Sequence, residues 1–202
     1  MLAIFQAAGW PIWLLLIASI VAVALIVERL IFLRREKILP KQLLEDVIRV
    51  YRSGKVTPDV VNTLEQNSPL GAVLASALRN VDAPRDVMKE SIEEAGRGVA
   101  HGLERFLTTL GTIASLAPLM GLFGTVVGMI QLVLGILDFG IGDASQLAGG
   151  IGKALVCTAT GMIVAIPALM FHRYFRGRIA GYIVDMEHEA TRLMDVLEDT
   201  RR

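Results

Sequence analysis

The 202-residue sequence has one cysteine and no excess of charge of either sign. Cys157 can form no internal disulfide, and cysteine pairs at metal-binding spacing are absent, so we expect a small buried residue. Basic and acidic residues number 20 each, without a basic patch or tail, which argues against a nucleic-acid binder. A dinucleotide fingerprint, a phosphate loop and a zinc-binding helix motif are also missing. The sequence therefore predicts no cofactor, no metal site and no enzymatic activity.

The hydrophobic residues, 53% of the chain, are concentrated in three blocks instead of being spread as in a globular core. The blocks cover residues 10–27, 106–137 and 145–171, and one charge, Lys153, interrupts the third. A helix that crosses a membrane needs roughly 20 apolar residues, so three transmembrane helices are predicted. A cleavable signal peptide is disfavoured, because the basic residues follow the first block instead of preceding it.

The distribution of basic residues predicts the orientation of the chain. Every Lys and Arg except Lys153 lies between the first two blocks, at the end of the first, or after the third. Residues 1–9 and the short acidic segment 138–144 contain none. Because positive residues are retained in the cytoplasm, the amino terminus and the 138–144 turn are predicted outside, and the carboxyl terminus inside.

The predicted fold class is all-α, an integral membrane protein with three transmembrane helices and long helices extending into a cytoplasmic helical domain. The predicted segments are an external amino terminus at 1–9, transmembrane helices at 10–33, 106–137 and 145–172, a cytoplasmic helical domain at 34–105, an external turn at 138–144 and a cytoplasmic carboxyl-terminal helix at 173–202.

Prolines and capping residues divide the cytoplasmic domain into helices. Pro40 can open a helix that Gly54 closes. Thr57–Pro58 and Ser68–Pro69 each combine a capping side chain with proline at the first helical position, and the segment 82–84 is predicted as a third such start.

Beyond these starts, two longer helices are predicted. From Pro84 to Leu137 the only proline is Pro118, so one continuous helix is expected, kinked at Pro118, that enters the membrane from a cytoplasmic stalk. Pro167 is the second predicted kink. After the third block, apolar residues at helical spacing predict an amphipathic helix that packs on the stalk or on copies of itself. These residues are Ile179, Ile183, Met186, Ala190, Leu193 and Leu197.

Small and hydroxyl-bearing residues line one face of the second and third blocks. On the second they are Gly111, Ser115, Pro118, Gly121, Thr125 and Gly128, and on the third Ile151, Ala154, Thr158, Gly161 and Ala165. Small residues let helices approach closely in lipid, and hydroxyls can bond to nearby carbonyls. The spacing does not separate helix packing alone from a helix-lined pore with threonine hydroxyls on its wall.

No Asp or Glu lies within a block, although a proton path normally needs a titrating carboxylate or histidine in the membrane. His101, His172 and His188 fall on cytoplasmic segments or at the boundary, where ordinary surface or interface histidines are expected. A carboxylate for proton conduction should therefore come from another subunit. Lys153 is expected either to face protein or a water-filled cavity, or to extend to the outer interface.

Two segments resemble the MotA/TolQ/ExbB proton channel family. They are residues 117–129, APLMGLFGTVVGM, and residues 149–168, GGIGKALVCTATGMIVAIPA. Together with the order of the three spans and the cytoplasmic insert, the resemblance covers nearly the whole chain. The short amino terminus and the three spans are similar to the ExbB and TolQ branch of the family.

The resemblance implies a homopentamer in the bacterial inner membrane, with a periplasmic amino terminus, that surrounds the transmembrane helices of a partner like ExbD or TolR. The partner would supply the membrane aspartate missing here, and the assembly would pass protons inward and deliver force through TonB or TolA. Thr125 and Thr158 match the family's pore-lining threonines. Lys153 stands where well-known members have a glutamate, and this departure leaves its role open.

The remaining site residues and the function are predicted on this basis. Lys153, Ser115 and Thr160 are candidate pore or partner contacts, and close helix packing is assigned to Gly121, Gly124, Gly128 and Gly161. The first hypothesis is a proton-channel and stator subunit, ExbB-like, that uses proton-motive force to energise TonB-dependent outer-membrane transport. The alternatives are a TolQ-like subunit of the Tol-Pal envelope system and a non-conducting membrane scaffold.

Overall fold

A computed structural model describes residues 11–139 and 144–201 of the chain. This described part is helical and contains no strand, which confirms the all-α prediction. Its helices are α1 (Pro11–Phe32), α2 (Arg35–Ile38), α3 (Leu43–Arg52), α4 (Pro58–Asn67), α5 (Pro69–Arg79), α6 (Arg85–Glu104), α7 (Leu107–Phe139) and α8 (Ala144–Arg201). The predicted segment 1–9 and residues 140–143 of the predicted turn lie outside the described residues.

The chain divides into two compact units. The membrane unit comprises Met1–Glu28 and Phe106–Tyr174, and the charged unit comprises Arg29–Arg105 and Phe175–Arg202. Among the described residues, three helices are long and apolar enough to cross a membrane, namely Pro11–Phe32, Leu107–Leu137 and the apolar part of Ala148–Thr200. Their number and order agree with the three predicted spans.

The membrane unit has a small core and a large exposed apolar surface. Leu15 of α1 packs with Ala117 of α7 and with Val164 and Ala165 of α8. Most of the bulky residues point outward instead, and Ile163, for example, is 69% exposed. An apolar surface of this extent is typical of helices that face lipid or other membrane subunits.

Three of the predicted helix boundaries in the charged unit are confirmed. The Thr57 hydroxyl accepts the Val60 N–H at the start of α4, and the Ser68 hydroxyl accepts a backbone N–H at the start of α5. Gly54 follows α3 with a φ of 67°, a left-handed conformation that glycine adopts without steric cost. Local capping chemistry was therefore sufficient to locate these boundaries.

The buried cap at Ser68 provides a stability test of the charged unit. Its hydroxyl accepts the Gly71 N–H at 3.1 Å in a buried position, whereas the exposed Thr57 cap is longer, at 3.4 Å. Ser68→Ala should therefore lower the free energy of unfolding by about 1 kcal/mol. Thr57→Ala is the matched control with a smaller expected loss. The measurement is limited proteolysis of the detergent-solubilised chain, and equal or reversed sensitivity of the two variants would contradict the prediction.

The structure corrects two predictions about α6. Pro84 precedes α6 as its capping residue and supplies no side-chain hydrogen bond, because its ring carries no acceptor. The expected continuous helix from Pro84 to Leu137 is wrong as well. α6 ends at Glu104, α7 begins at Leu107, and Phe106 between them has a φ of 66°, a conformation that is uncommon for a bulky residue.

A side chain from a distant part of the sequence accounts for the break after α6. In a continuous helix the Leu103 carbonyl would accept the N–H of residue 107. Here it accepts a hydrogen bond of 3.1 Å from the Arg29 guanidinium, which is 3% exposed. A cation at the carboxyl end of a helix satisfies an otherwise unpaired carbonyl and interacts favourably with the helix dipole.

The prolines in α7 and α8 do not end their helices. Pro118 lies inside α7 and Pro167 inside α8, so both helices continue past them. A kink at either position stays a prediction.

The carboxyl-terminal part of α8 is amphipathic, as predicted. Ile179, Met186, Ala190, Leu193 and Leu197 are at most 2% exposed, and Ile183 is half-buried. These residues therefore form one side of the core of the charged unit.

Ion pairs join this part of α8 to earlier segments of the same unit. Arg35 pairs with Asp185 at 2.9 Å, and Arg85, the first residue of α6, pairs with Glu198 and Asp195. The hydrogen bonds to Glu198 and Asp195 raise the pKa of Arg85 above its usual value. Contact with the stalk helix, one of the two predicted alternatives for this segment, is therefore made within the chain.

Candidate functional site between helices α7 and α8

In the membrane unit, α7 and α8 meet through glycine. A Cβ atom on Gly161 would lie 2.6 Å from the Ala117 carbonyl oxygen and 3.1 Å from the Gly121 Cα. A Cβ atom on Gly121 would lie 2.9 Å from the Cys157 carbonyl oxygen. These neighbours are backbone atoms, so no side-chain rotation could make room, and the two helix backbones are in contact here.

The contact continues towards the 140–143 segment through two further glycines of α7. A Cβ atom on Gly124 would lie 2.9 Å from the Sγ of Cys157, and one on Gly128 would lie 3.3 Å from the Cβ of Ala154. Cys157 is fully buried, which confirms the expectation of a small packed residue. We refer to the contacts that Gly121, Gly124 and Gly128 make with Ala154, Cys157 and Gly161 as the glycine seam.

A threonine hydroxyl bridges the glycine seam. Thr158 Oγ1 donates a hydrogen bond of 3.3 Å to the Gly121 carbonyl oxygen of α7. In an α-helix this carbonyl also accepts the N–H of residue 125, one turn further on. The Thr125 hydroxyl donates to the Leu122 carbonyl of its own helix at 2.5 Å. The structure therefore brings the two predicted pore threonines to neighbouring turns of the two helices, and both are half-buried.

The other predicted contact residues, Ser115, Thr160 and Lys153, have polar side chains but lie outside the glycine seam. Ser115 is exposed and donates to carbonyls of its own helix, and half-buried Thr160 donates to the Val156 carbonyl at 2.8 Å. Lys153 is exposed, and no ion pair involves it within residues 11–139 and 144–201. None of these three side chains joins α7 to α8.

A histidine contact lies further along the same helix pair. The imidazole of His172, a half-buried residue of α8, lies against Gly111 of α7, where a Cβ atom would be 3.0 Å from Nε2. In two antiparallel helices, residues equally far from a contact in opposite directions face each other. Gly111 comes 14 residues before Thr125, and His172 comes 14 residues after Thr158. The helix register that brings the two threonines to neighbouring turns therefore also brings Gly111 and His172 together. Sequence reasoning missed this contact, although the equal spacing was visible.

Helix α1 also contributes to the seam, and no sequence motif indicated where. The Cβ of Pro11 would be 3.7 Å from a Cβ atom on Gly124, and Leu15 is fully buried against Ala117. Since the first block is apolar except for Ser19, its periodicity could not show which face packs on α7.

The arrangement can bind water or a partner side chain, but it carries no acidic group of its own. Hydroxyls and carbonyls supply hydrogen-bond donors and acceptors near the Gly121–Thr158 contact. The sequences 107–137 and 148–171 contain no carboxylate. A proton carried at the level of Thr125 and Thr158 would therefore need water or an acidic group from another chain.

The model of the MotA/TolQ/ExbB proton channel family matches residues 65–188 of this chain, more than half its length. The chain belongs to the MotA/TolQ/ExbB family. The matched region contains α7, the glycine seam, Thr125, Thr158 and His172. It is a membrane proton channel family and not an enzyme family.

Individual relatives within this family carry both ExbB and TolQ names. The chain is 34% identical over 162 residues to biopolymer transport protein ExbB-like 3 of Synechocystis sp., covering 78% of this chain and 76% of that protein. It is 39% identical over 105 residues to biopolymer transport protein ExbB of Pseudomonas putida, covering 46% and 31%. It is 31% identical over 138 residues to Tol-Pal system protein TolQ of Pseudomonas aeruginosa, covering 66% and 60%. These matches support the ExbB/TolQ branch as a whole.

Proposed function

We propose that this chain is the channel-wall subunit of a proton-driven stator in a bacterial inner membrane. Copies of the chain, five by the family resemblance, surround the transmembrane helices of an ExbD- or TolR-like partner. The amino terminus is periplasmic and the charged unit is cytoplasmic, in line with the basic residues of the sequence. Protons move inward, and the released free energy drives a TonB- or TolA-like protein.

The observation that carries the proposal is the hydroxyl bridge between α7 and α8. The Thr158 hydroxyl is 3.3 Å from the carbonyl of Gly121, which is one helical turn from Thr125 in a segment without carboxylates. A packed seam of glycine and alanine would serve a pure scaffold equally well. Hydroxyls at this position additionally provide rotatable donors and acceptors for water or for a partner's carboxylate.

The partner's apolar helix has a suitable surface on α7. Thr125 borders an open apolar depression lined also by Val126, Met129, Ile130 and Val133. A partner span seated along this depression would bring its carboxylate to the level of Thr125. Lys153, exposed on α8, is then a candidate contact for that partner or for a neighbouring copy.

Within the proposal, an ExbB-like role in outer-membrane transport is the first assignment, and a TolQ-like role is the second. Relatives with both names match about two thirds of this chain or more, 78% for ExbB-like 3 of Synechocystis sp. and 66% for TolQ of Pseudomonas aeruginosa. Co-purification of a TonB-like or a TolA-like protein with the complex would separate the two roles.

Native mass spectrometry of the chain, co-expressed with the single-span protein encoded beside it, tests the assembly. The expected result is a complex of five copies that retains a smaller number of partner chains. The exposed apolar side chains of the spanning helices provide contact surface for other subunits. The proposed channel wall has no carboxylate, so the partner would have to supply one.

A monomer or dimer that retains no partner would contradict the stator and favour the scaffold alternative. The control is the same chain expressed without the partner, which should keep its own copies together but show no added mass.

A further inference from the structure

His172 lies at the end of the membrane unit that adjoins the charged unit along the sequence. Its imidazole occupies space that Gly111 leaves open, with three ring atoms at 3.0 to 3.4 Å from the Cβ position of that glycine. It is half-buried. No hydrogen bond joins the ring to another residue in the described parts of the chain. The hydrogen-bonding capacity of the ring nitrogens is therefore not used within the described residues.

His172 also shares a helix face with the predicted pore threonine. At 100° per residue, 14 residues bring His172 to within about 40° of Thr158, and they advance about 21 Å along the axis. Gly111 has the same relation to Thr125 on α7. The Gly111–His172 contact therefore continues the line of the two threonines towards the proposed cytoplasmic end.

Three helices supply the polar and charged groups around His172. On α7, the residues within one turn of Gly111 that carry polar side chains are Thr108, Thr109, Thr112 and Ser115, which do not titrate in the physiological range. On α8, Arg173 and Tyr174 follow directly, and Arg176 comes one turn after His172. The part of α1 that belongs to the membrane unit carries a single charged residue, Glu28, at the end of the span.

We propose that His172 is a proton relay at the cytoplasmic end of the channel, an inference that rests on the proposed function. One ring nitrogen of the neutral imidazole accepts a proton from channel water. The other nitrogen then releases its proton to cytoplasmic water, and the ring returns to the neutral form as the opposite tautomer. One proton enters and one leaves, so the charge of the histidine is unchanged after each transfer. Rotation of the ring, or exchange of its N–H proton with water, restores the starting tautomer before the next transfer. Histidine suits this step because it gains and loses a proton in the physiological pH range.

The test is proton flux into vesicles that contain the chain with its co-expressed partner, measured between about pH 5.5 and 8. His172→Gln keeps a polar side chain but cannot titrate, so flux should fall about tenfold or more and lose its pH dependence in this range. His172→Phe fills the space beside Gly111 without titrating, and the same loss is expected. His188→Gln, an exposed position in the charged unit, is the control and should conduct like the original chain.

Each outcome decides between relay and packing. Intact complexes of both His172 variants with reduced, pH-independent flux support the relay. If the His172→Phe complex conducts like the original chain, or if His172→Gln keeps the original pH profile, the histidine serves packing and the inference is overturned. If neither variant assembles, a structural role is shown instead. A wild-type complex that conducts no protons contradicts the proposed function itself, and the inference with it.

Discussion

Replacing Thr158 by valine is expected to lower proton flux by about ten- to a hundredfold and to abolish the envelope function that depends on it. Valine has nearly the same shape as threonine, but it removes the hydroxyl that reaches the Gly121 carbonyl at 3.3 Å. In the proposed channel the same hydroxyl would also bond to the partner's carboxylate or to a protonated water. A hydrogen bond to such a charged group contributes about 1.5–3 kcal/mol, which corresponds to this range of rates. The measurement is proton flux of the complete complex in vesicles, together with growth that requires energised uptake or envelope constriction.

Thr158→Ser is the matched control, because it keeps the hydroxyl and loses only a methyl group. It should retain most of the flux. The loss of one interhelical hydrogen bond costs only about 0.6 kcal/mol on average in a membrane protein, so Thr158→Val should still insert and assemble. Normal flux in an assembled Thr158→Val complex would remove this residue from the channel wall and favour the scaffold.

Replacing Gly161 by leucine should have the largest effect on assembly of the membrane unit. The Cβ alone would lie 2.6 Å from the Ala117 carbonyl oxygen and 3.1 Å from the Gly121 Cα. Because these neighbours are backbone atoms, α7 and α8 would have to separate. Overpacking typically costs about 1–3 kcal/mol, and separation would also break the Thr158 hydrogen bond. The measurement is the thermal stability of the complex in detergent, followed by size-exclusion chromatography.

Gly152→Leu is the matched control on the same helix, since nothing lies within 4 Å of a Cβ atom at that position. It should leave the α7–α8 contact intact. If Gly161→Leu assembled with the stability of the control, the close contact at the glycine seam would not be needed for the fold.

Much of this fold could be predicted because the signals are local. The three spans follow from long runs of apolar residues, and α4 and α5 begin where a capping hydroxyl precedes proline. The buried stripe from Ile179 to Leu197 follows from helical periodicity. Each of these signals depends on neighbours within a few residues or on composition alone.

The errors and omissions came from contacts between residues far apart in sequence. Neither of the two residues between α6 and α7, Arg105 and Phe106, is proline or glycine. The Arg29 guanidinium that binds the Leu103 carbonyl is 74 residues away. The contacts of Pro11 and Leu15 with α7 could not be predicted from residues 11–27, which are apolar except for Ser19. Only a three-dimensional arrangement specifies such pairs.

The amino-acid sequence by itself determined that this protein is helical, that three of its helices are long and apolar enough for a membrane, and that it resembles one proton channel family. It also supplied the small and hydroxyl-bearing faces of α7 and α8. The tertiary structure decided that Gly121 and Gly161 bring the two backbones into contact and that Thr158 bonds across them. It also placed His172 against Gly111. Periodicity selects the face of a helix, whereas the register between two helices depends on how their side chains fit together.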